Sequence, residues 1–190
     1  MGVAGTWITV KGLDRGELLR RLDLVETANT FSLLEEWVPR GTYGGVATLE
    51  SGRELFISRQ HEVTSEIAQR VSIGVQLIMC LIEEHVMYSE SYSFTDGVLD
   101  WHLFHHRPET GKEVVVKGNP PASLRKALTE AEELDRTRGR ADFHFEVPFQ
   151  VAESIDGFDP LGDPLPFDGM LTIVERKGRG GILKWLKGSF

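Results

Sequence analysis

The stretch that decides the fold runs from residue 75 to residue 107 and reads VQLIMCLIEEHVMYSESYSFTDGVLDWHLFHHR. Residues 75–82 are almost wholly apolar, which is typical of a buried strand. Asp96-Gly97 lies further along, between two β-rich runs, and this dipeptide favours a two-residue hairpin turn. The sequence therefore predicts a buried strand followed by a β-hairpin. The same stretch contains four of the six histidines of the chain.

The hairpin turn sets a register, and the register decides which side chains face the core. With Asp96-Gly97 as the loop, Tyr92 pairs with Trp101. One face is then aromatic and mostly apolar, and it holds Tyr88, Glu90, Tyr92, Phe94, Leu99, Trp101, Leu103 and His105. The other face is polar, and it holds Met87, Ser89, Ser91, Ser93, Asp100, His102, Phe104 and His106, with His85 beyond. We expect the first face to point inward and the second outward, and a shift of one residue would exchange them.

The candidate binding site on the polar face consists of Glu83, His85, His102 and His106. His85 and His106 would be diagonal neighbours, and two imidazoles with a nearby carboxylate form a donor set that zinc or iron accepts. However, the spacing matches no HExxH motif, and exposed histidines on a sheet commonly have ordinary hydrogen bonds. We therefore assign these four residues to a binding surface and assign no catalytic residue, metal or cofactor.

Two kinds of nucleophile occur in this stretch, and neither matches a catalytic pattern. Ser89, Ser91 and Ser93 share the predicted polar face with His102, so a Ser–His contact is sterically allowed, but no GxSxG turn precedes them. Cys80 is the single cysteine. It lies among Leu, Ile and Met, which indicates an inert thiol in the core.

The rest of the chain alternates strand and helix patterns. Strands are predicted at residues 6–12, within 31–59, and at 113–117, 143–147 and 170–175. Helices are predicted from Asp14 to Leu22, from Thr64 to Gly74, from Pro121 to Leu134 and from Pro148 to Ile155. We expect an α+β fold in which three to four helices pack against one face of a mainly antiparallel sheet. Residues 1–175 would form a single domain, followed by a basic tail at 176–190.

Charge is distributed unevenly along the chain. The 190 residues contain 21 basic and 29 acidic side chains, a net charge of −8. Five of the basic residues lie in residues 176–190, so residues 1–175 hold 16 basic against 29 acidic side chains, a net charge of −13. An acidic body repels nucleic-acid phosphates and attracts basic proteins. The tail also carries apolar residues, and it could dock on this body, on a partner or on an anionic membrane.

These observations leave two functional hypotheses. The first is a non-catalytic interaction protein that binds a basic protein partner, in the manner of an inhibitor or immunity protein. The alternative is a metal-dependent or His/Glu-based hydrolase that uses the polar face of the 85–106 hairpin. No transmembrane segment or signal peptide is visible, and the single cysteine favours a cytoplasmic location. We expect no nucleic-acid partner.

Overall fold

The computed structural model describes residues 3–59, 61–138, 141–162 and 164–178. Within these residues nine strands form one antiparallel sheet in the order β2-β9-β3-β4-β1-β5-β6-β7-β8. The strands are β1 (Ala4–Lys11), β2 (Leu24–Ser32), β3 (Gly44–Thr48), β4 (Glu54–Ser58), β5 (Gln76–Glu83), β6 (Tyr88–Thr95), β7 (Val98–His106), β8 (Val115–Gly118) and β9 (Met170–Arg176). The helices are α1 (Arg15–Leu22), α2 (Ser65–Val71), α3 (Arg107–Thr110), α4 (Ser123–Arg138) and α5 (Val147–Asp156).

The predicted α+β class with a mainly antiparallel sheet is confirmed, although the sheet is more dominant than expected. Five helices are present in the described chain, against the three to four predicted, and α3 is a single turn. The strand predicted at 143–147 is wrong, because Phe143–Glu146 forms a 3-10 turn that runs directly into α5. Apolar and polar residues alternate at 143–147, as in a strand with one buried face, but the neighbours His144 and Phe145 are both buried.

The starts of the first two helices follow the capping rules. The Asp14 carboxylate accepts a hydrogen bond from the Glu17 N–H at 2.8 Å, and the Thr64 hydroxyl accepts one from the Ile67 N–H at 3.4 Å. Each cap satisfies one of the backbone donors that a helix leaves unpaired at its first turn. Both helix starts are as predicted.

Helices cover both faces of the sheet, so the expectation that they pack on one face is wrong. Leu18 and Leu19 of α1 and Ala68 and Val71 of α2 belong to one apolar cluster. Helices α4 and α5 contribute to the second, which lies on the opposite face. The central strands have buried apolar residues on both sides, as the neighbours Trp7 and Ile8 show, and a strand of that kind needs cover on both faces.

The hairpin turn is as predicted, but the register beyond it is not. Asp96 and Gly97 have φ values of 49° and 74°, the positive values that a two-residue hairpin turn of this type requires. Thr95 pairs with Val98 and Phe94 with Leu99 as expected, and then a β-bulge at Asp100 adds one residue to β7. From there on Tyr92 pairs with His102, not with Trp101.

The bulge exchanges the two faces of β6 relative to β7. Ser89, Ser91 and Ser93 now lie in the core with Trp101, Leu103 and His105, and all six are buried. Tyr88, Glu90 and Tyr92 lie on the other face with His102, Phe104 and His106. The prediction that the tyrosines point into the core beside Trp101 is therefore wrong. The prediction that His102 and His106 share a face is correct.

The described helices include none that is both long and apolar enough to cross a membrane. The final residues of the predicted basic tail, 179–190, lie outside the described part of the chain. Its first residue, Arg176, ends strand β9.

Candidate binding surface

Strands β5, β6 and β7 bring aromatic and ionisable residues together in rows on one face of the sheet. The rows across the three strands are Glu83–Tyr88–His106, Leu81–Glu90–Phe104 and Met79–Tyr92–His102. We call Tyr88, Glu90, Tyr92, His102, Phe104 and His106 the aromatic face. Side chains in such rows are close enough to interact across the strands.

The rings of the aromatic face contact one another. Tyr92 stacks on His102 with a centroid distance of 4.1 Å and an interplanar angle of 3°. Tyr88 lies 5.3 Å from Phe104 and 5.6 Å from His106 in tilted and edge geometries. These distances are in the range in which aromatic pairs attract beyond simple burial. The face is therefore a continuous layer of rings, and its parts hold one another in place.

Glu90 lies at the centre of this layer and accepts hydrogen bonds from its neighbours. The Tyr92 hydroxyl donates to Glu90 Oε1 at 2.9 Å, and His102 Nε2 lies 3.0 Å from the same oxygen. Burial alone would raise the pKa of Glu90, but hydrogen bonds with His102, Tyr88 and Tyr92 outweigh burial and hold the pKa below its ordinary value. Glu90 is thus a carboxylate fixed in its charged form beneath the rings.

The tyrosines are perturbed in the opposite direction. Burial, followed by the neighbouring Glu90 carboxylate, raises the pKa of both Tyr88 and Tyr92 well above the ordinary value for tyrosine. Both hydroxyls therefore stay protonated and act as hydrogen-bond donors at any physiological pH. The face presents neutral phenol rings over a buried negative charge.

The aromatic face is only half-covered by the rest of the described protein. Helix α2 belongs to the cluster that reaches Phe94 and Tyr92, whereas Tyr88 and Phe104 belong to neither apolar cluster. The helices α4 and α5 contribute to the cluster on the other side of the sheet. The side chains of Glu90 and His102 each retain 12 % of their exposure, so solvent reaches both of them only in part.

The four predicted site residues do not converge on one point. His85 lies in a 3-10 turn after β5, with its side chain 63 % exposed and its Nδ1 2.7 Å from Glu83 Oε1. His102 pairs with Glu90, and His106 Nδ1 lies 3.4 Å from Glu109 Oε1. Each imidazole thus has a carboxylate of its own. In the described chain no group of three or more His, Cys, Asp or Glu is placed to hold a metal ion.

The prediction that the serines of β6 share a face with His102 is wrong, whereas the prediction of a buried Cys80 is confirmed. The serines of β6 lie on the face opposite His102, so the Ser–His102 contact does not form. Cys80 is fully buried, as predicted for a core thiol, and burial raises its pKa well above the ordinary value for cysteine.

His105 is an anchor of the core rather than part of the surface. Its Nε2 lies 3.0 Å from Asp142 Oδ2, and its Nδ1 lies 3.0 Å from the Glu113 carbonyl oxygen. Arg107 approaches the same carboxylate at 3.5 Å. Asp142 and His105 are both buried, and a buried ionisable pair of this kind fixes the segment before α5 against β7. No pattern in the sequence points to Asp142, because the pair spans 37 residues.

A small cavity of about 190 Å³ lies beside the end of β9 on the α1–α2 side. Its walls include Phe56, Val63, Tyr43 and Arg176. The Arg176 guanidinium lies 5.1 Å from the centre of the Tyr43 ring and 2.9 Å from Glu62 Oε2. Since this arginine is already paired, the cavity is a weaker candidate than the aromatic face for binding a charged partner.

Comparison with known proteins adds no assignment, since no protein-family model, curated protein or solved structure matches this chain. The function therefore has to be argued from the chemistry of the surfaces. Among the described residues, the aromatic face brings five rings together around one carboxylate, that of Glu90.

Proposed function

We propose that this protein is a non-catalytic interaction protein that binds a basic protein partner through the aromatic face, in the manner of an inhibitor or immunity protein. The observation that carries the proposal is a layer of tyrosine, phenylalanine and histidine rings in which Tyr88 and Phe104 belong to neither apolar cluster. Tyrosine and phenylalanine are enriched at the centres of protein interfaces because they bury much area at little cost in side-chain entropy.

A basic partner fits this surface because the charges around the rings are mostly negative. Glu83, Glu90 and Glu109 lie in or beside the layer, and Lys117 of β8 is the neighbour of His102 on the next strand. Arginine and lysine side chains are attracted both by these carboxylates and by the faces of the rings. The net charge of −13 on residues 1–175 adds long-range attraction that speeds encounter with a basic protein.

A binding role is favoured over hydrolysis because the imidazoles are engaged by separate carboxylates. Glu83, His85, His102 and His106 make three different pairs, so they do not surround a common position for a substrate atom. The pair of His102 and Glu90 keeps the hydrolase hypothesis testable, since a histidine held by a carboxylate can act as a general base. A cytoplasmic location and the absence of a nucleic-acid partner belong to the same proposal.

The test is affinity capture with the full chain from a lysate of the cells that produce it, followed by titration with the purified partner. We expect a basic protein that binds at about 50 mM salt and is released at about 500 mM, because salt screens exposed charges. Phe104→Ser and Glu90→Gln should each raise the measured Kd by tenfold or more, which is the effect of removing a central contact.

Leu161→Ser is the matched control, since Leu161 is an exposed apolar residue in the loop after α5 and is not part of the aromatic face. This variant should bind like the unaltered protein, and circular dichroism should show all three variants folded. If the Phe104→Ser and Glu90→Gln variants bind the partner as tightly as the unaltered protein does, the aromatic face is not the binding site. A turnover activity that is lost in His102→Ala would refute the non-catalytic role and support the hydrolase.

A further inference from the structure

Strand β8 is an edge strand with unusual apolar exposure. It pairs with β7 alone in the described chain, and all four of its residues are exposed. Val115 and Val116 retain 38 % and 43 % of their exposure. An exposed edge rich in valine is a ready surface for pairing with another strand, because its outer backbone groups have no partner in the sheet.

The direction of those backbone groups follows from the end of the β7–β8 ladder. The Asn119 N–H donates to the Asp100 carbonyl at 3.0 Å, which continues the pairing of Gly118 with Trp101. In an antiparallel ladder the hydrogen-bonding groups of alternate residues point to the same side. Lys117 and Val115 therefore point their N–H and C=O groups toward β7, and Val116 points its groups outward. Val114 directly precedes the strand, and its groups point outward when the strand is extended by one residue in the proposed pairing.

We propose that β8 forms the interface of a symmetric dimer, in which it pairs antiparallel with β8 of a second copy around Val115. In this register Val114 of each copy lies opposite Val116 of the other, so the outward backbone groups form about four hydrogen bonds. A pairing shifted by one residue would place outward groups against inward ones. The proposal is independent of the proposed function.

The charges that flank the valines select a second copy as the occupant. Residues 113–117 read EVVVK, with Glu113 and Lys117 at equal distances from Val115. Antiparallel pairing around Val115 places Glu113 of each copy opposite Lys117 of the other, on the same face of the joined sheet. Both side chains are exposed, and neither makes an ion pair with the described residues, so both are free to pair across the dimer.

The size of the interface sets the strength that we expect. One short strand per copy buries less area than a standard stable interface, and two chains of net charge −8 repel each other. The dimer should therefore be weak, and it should appear as the protein concentration rises into the range of about 100 μM and above. Salt at moderate concentration should favour it by screening the overall repulsion.

The test is sedimentation equilibrium of the full chain and of two charge-reversal variants, Glu113→Lys and Lys117→Glu. Each variant alone places like charges opposite each other twice per dimer, so dimerisation should weaken by about tenfold or more. A 1:1 mixture should dimerise again, because each Lys at 113 or 117 of one variant then faces a Glu of the other. A general effect on folding or net charge would not produce this recovery.

Lys11→Glu serves as the matched control, since it makes the same charge change at an exposed residue at the end of β1. This variant should dimerise like the unaltered chain. A chain that stays monomeric to about 1 mM would overturn the proposal, because even a weak interface would be populated there. Failure of the mixture to dimerise would also overturn it.

Discussion

The buried carboxyl group of Asp156 makes the stability of the folded protein depend on pH. Asp156 ends α5 and is 3 % exposed; the Thr9 hydroxyl donates to it at 2.7 Å and the Phe158 N–H at 2.9 Å. Burial raises its pKa from 3.8 to about 6, against the lowering effect of these hydrogen bonds and of Arg53, and with a small raising effect of Glu153. The folded protein therefore holds this proton more tightly than the unfolded chain does.

The sign of the effect on stability follows from linkage. Because the folded pKa lies above the unfolded one, the stability that protonated Asp156 contributes is fully present below about pH 4 and is lost as the pH rises through about 6. Asp156→Asn keeps a side chain of the same shape without the charge. As the pH rises from 4 to 7.5, we expect the free energy of unfolding of this variant to increase by about 2 kcal/mol relative to that of the unaltered protein, measured by urea unfolding. Parallel stability profiles of the two proteins would contradict the raised pKa.

At the level of elements, the hairpin shows what the sequence can and cannot predict. The Asp96-Gly97 turn was predictable because its positive φ angles depend on two adjacent residues. The bulge at Asp100 was not, because it has no glycine and is stabilised by contacts within the folded hairpin, from the Ser93 hydroxyl at 3.0 Å and the Thr95 hydroxyl at 2.7 Å. The register of β6 was wrong for that reason alone.

The error in the register affected the prediction of the candidate site less than the prediction of the core. His102 and His106 are four residues apart on one strand, so they share a face in any register. Their neighbours on β6 depend on the bulge, and for this reason the sequence predicted serines where the structure places tyrosines and Glu90. The aromatic layer could therefore not be predicted, although its histidines could.

Two buried serines on the inward face of β6 lead to a prediction with an internal control. Ser91 is fully buried, and its hydroxyl has no hydrogen-bond partner among the described residues, whereas the buried hydroxyl of Ser93 donates to Asp100. Removing an unpaired buried hydroxyl relieves a desolvation cost, while removing a paired one loses a bond and strands its acceptor. In urea unfolding we expect Ser91→Ala to stabilise the protein and Ser93→Ala to destabilise it, each by about 1 kcal/mol. Destabilisation by Ser91→Ala would show that its hydroxyl has a partner.

For the whole molecule, the sheet is buried at its centre and open at its edges. Six of the eight residues of β1 are buried, and all five of β4, whereas β8 has none. The two apolar clusters share these central strands, so loss of either should expose the other. That residues 1–175 form a single domain stays a prediction, and this arrangement shows how to test it.

Hydrogen exchange measured by mass spectrometry tests this view of the molecule. Amide groups in central strands exchange only when the whole domain opens, while those of exposed edges exchange by local opening. We expect peptides from β1 and β5 to exchange together and slowest, and peptides from β8 to exchange at least about tenfold faster. Addition of urea should accelerate amide exchange in the helices on both sides of the sheet in one step, because each cluster packs on the same strands. Opening of α4 and α5 at a urea concentration that leaves α1 and α2 protected would instead divide the chain into two independent units.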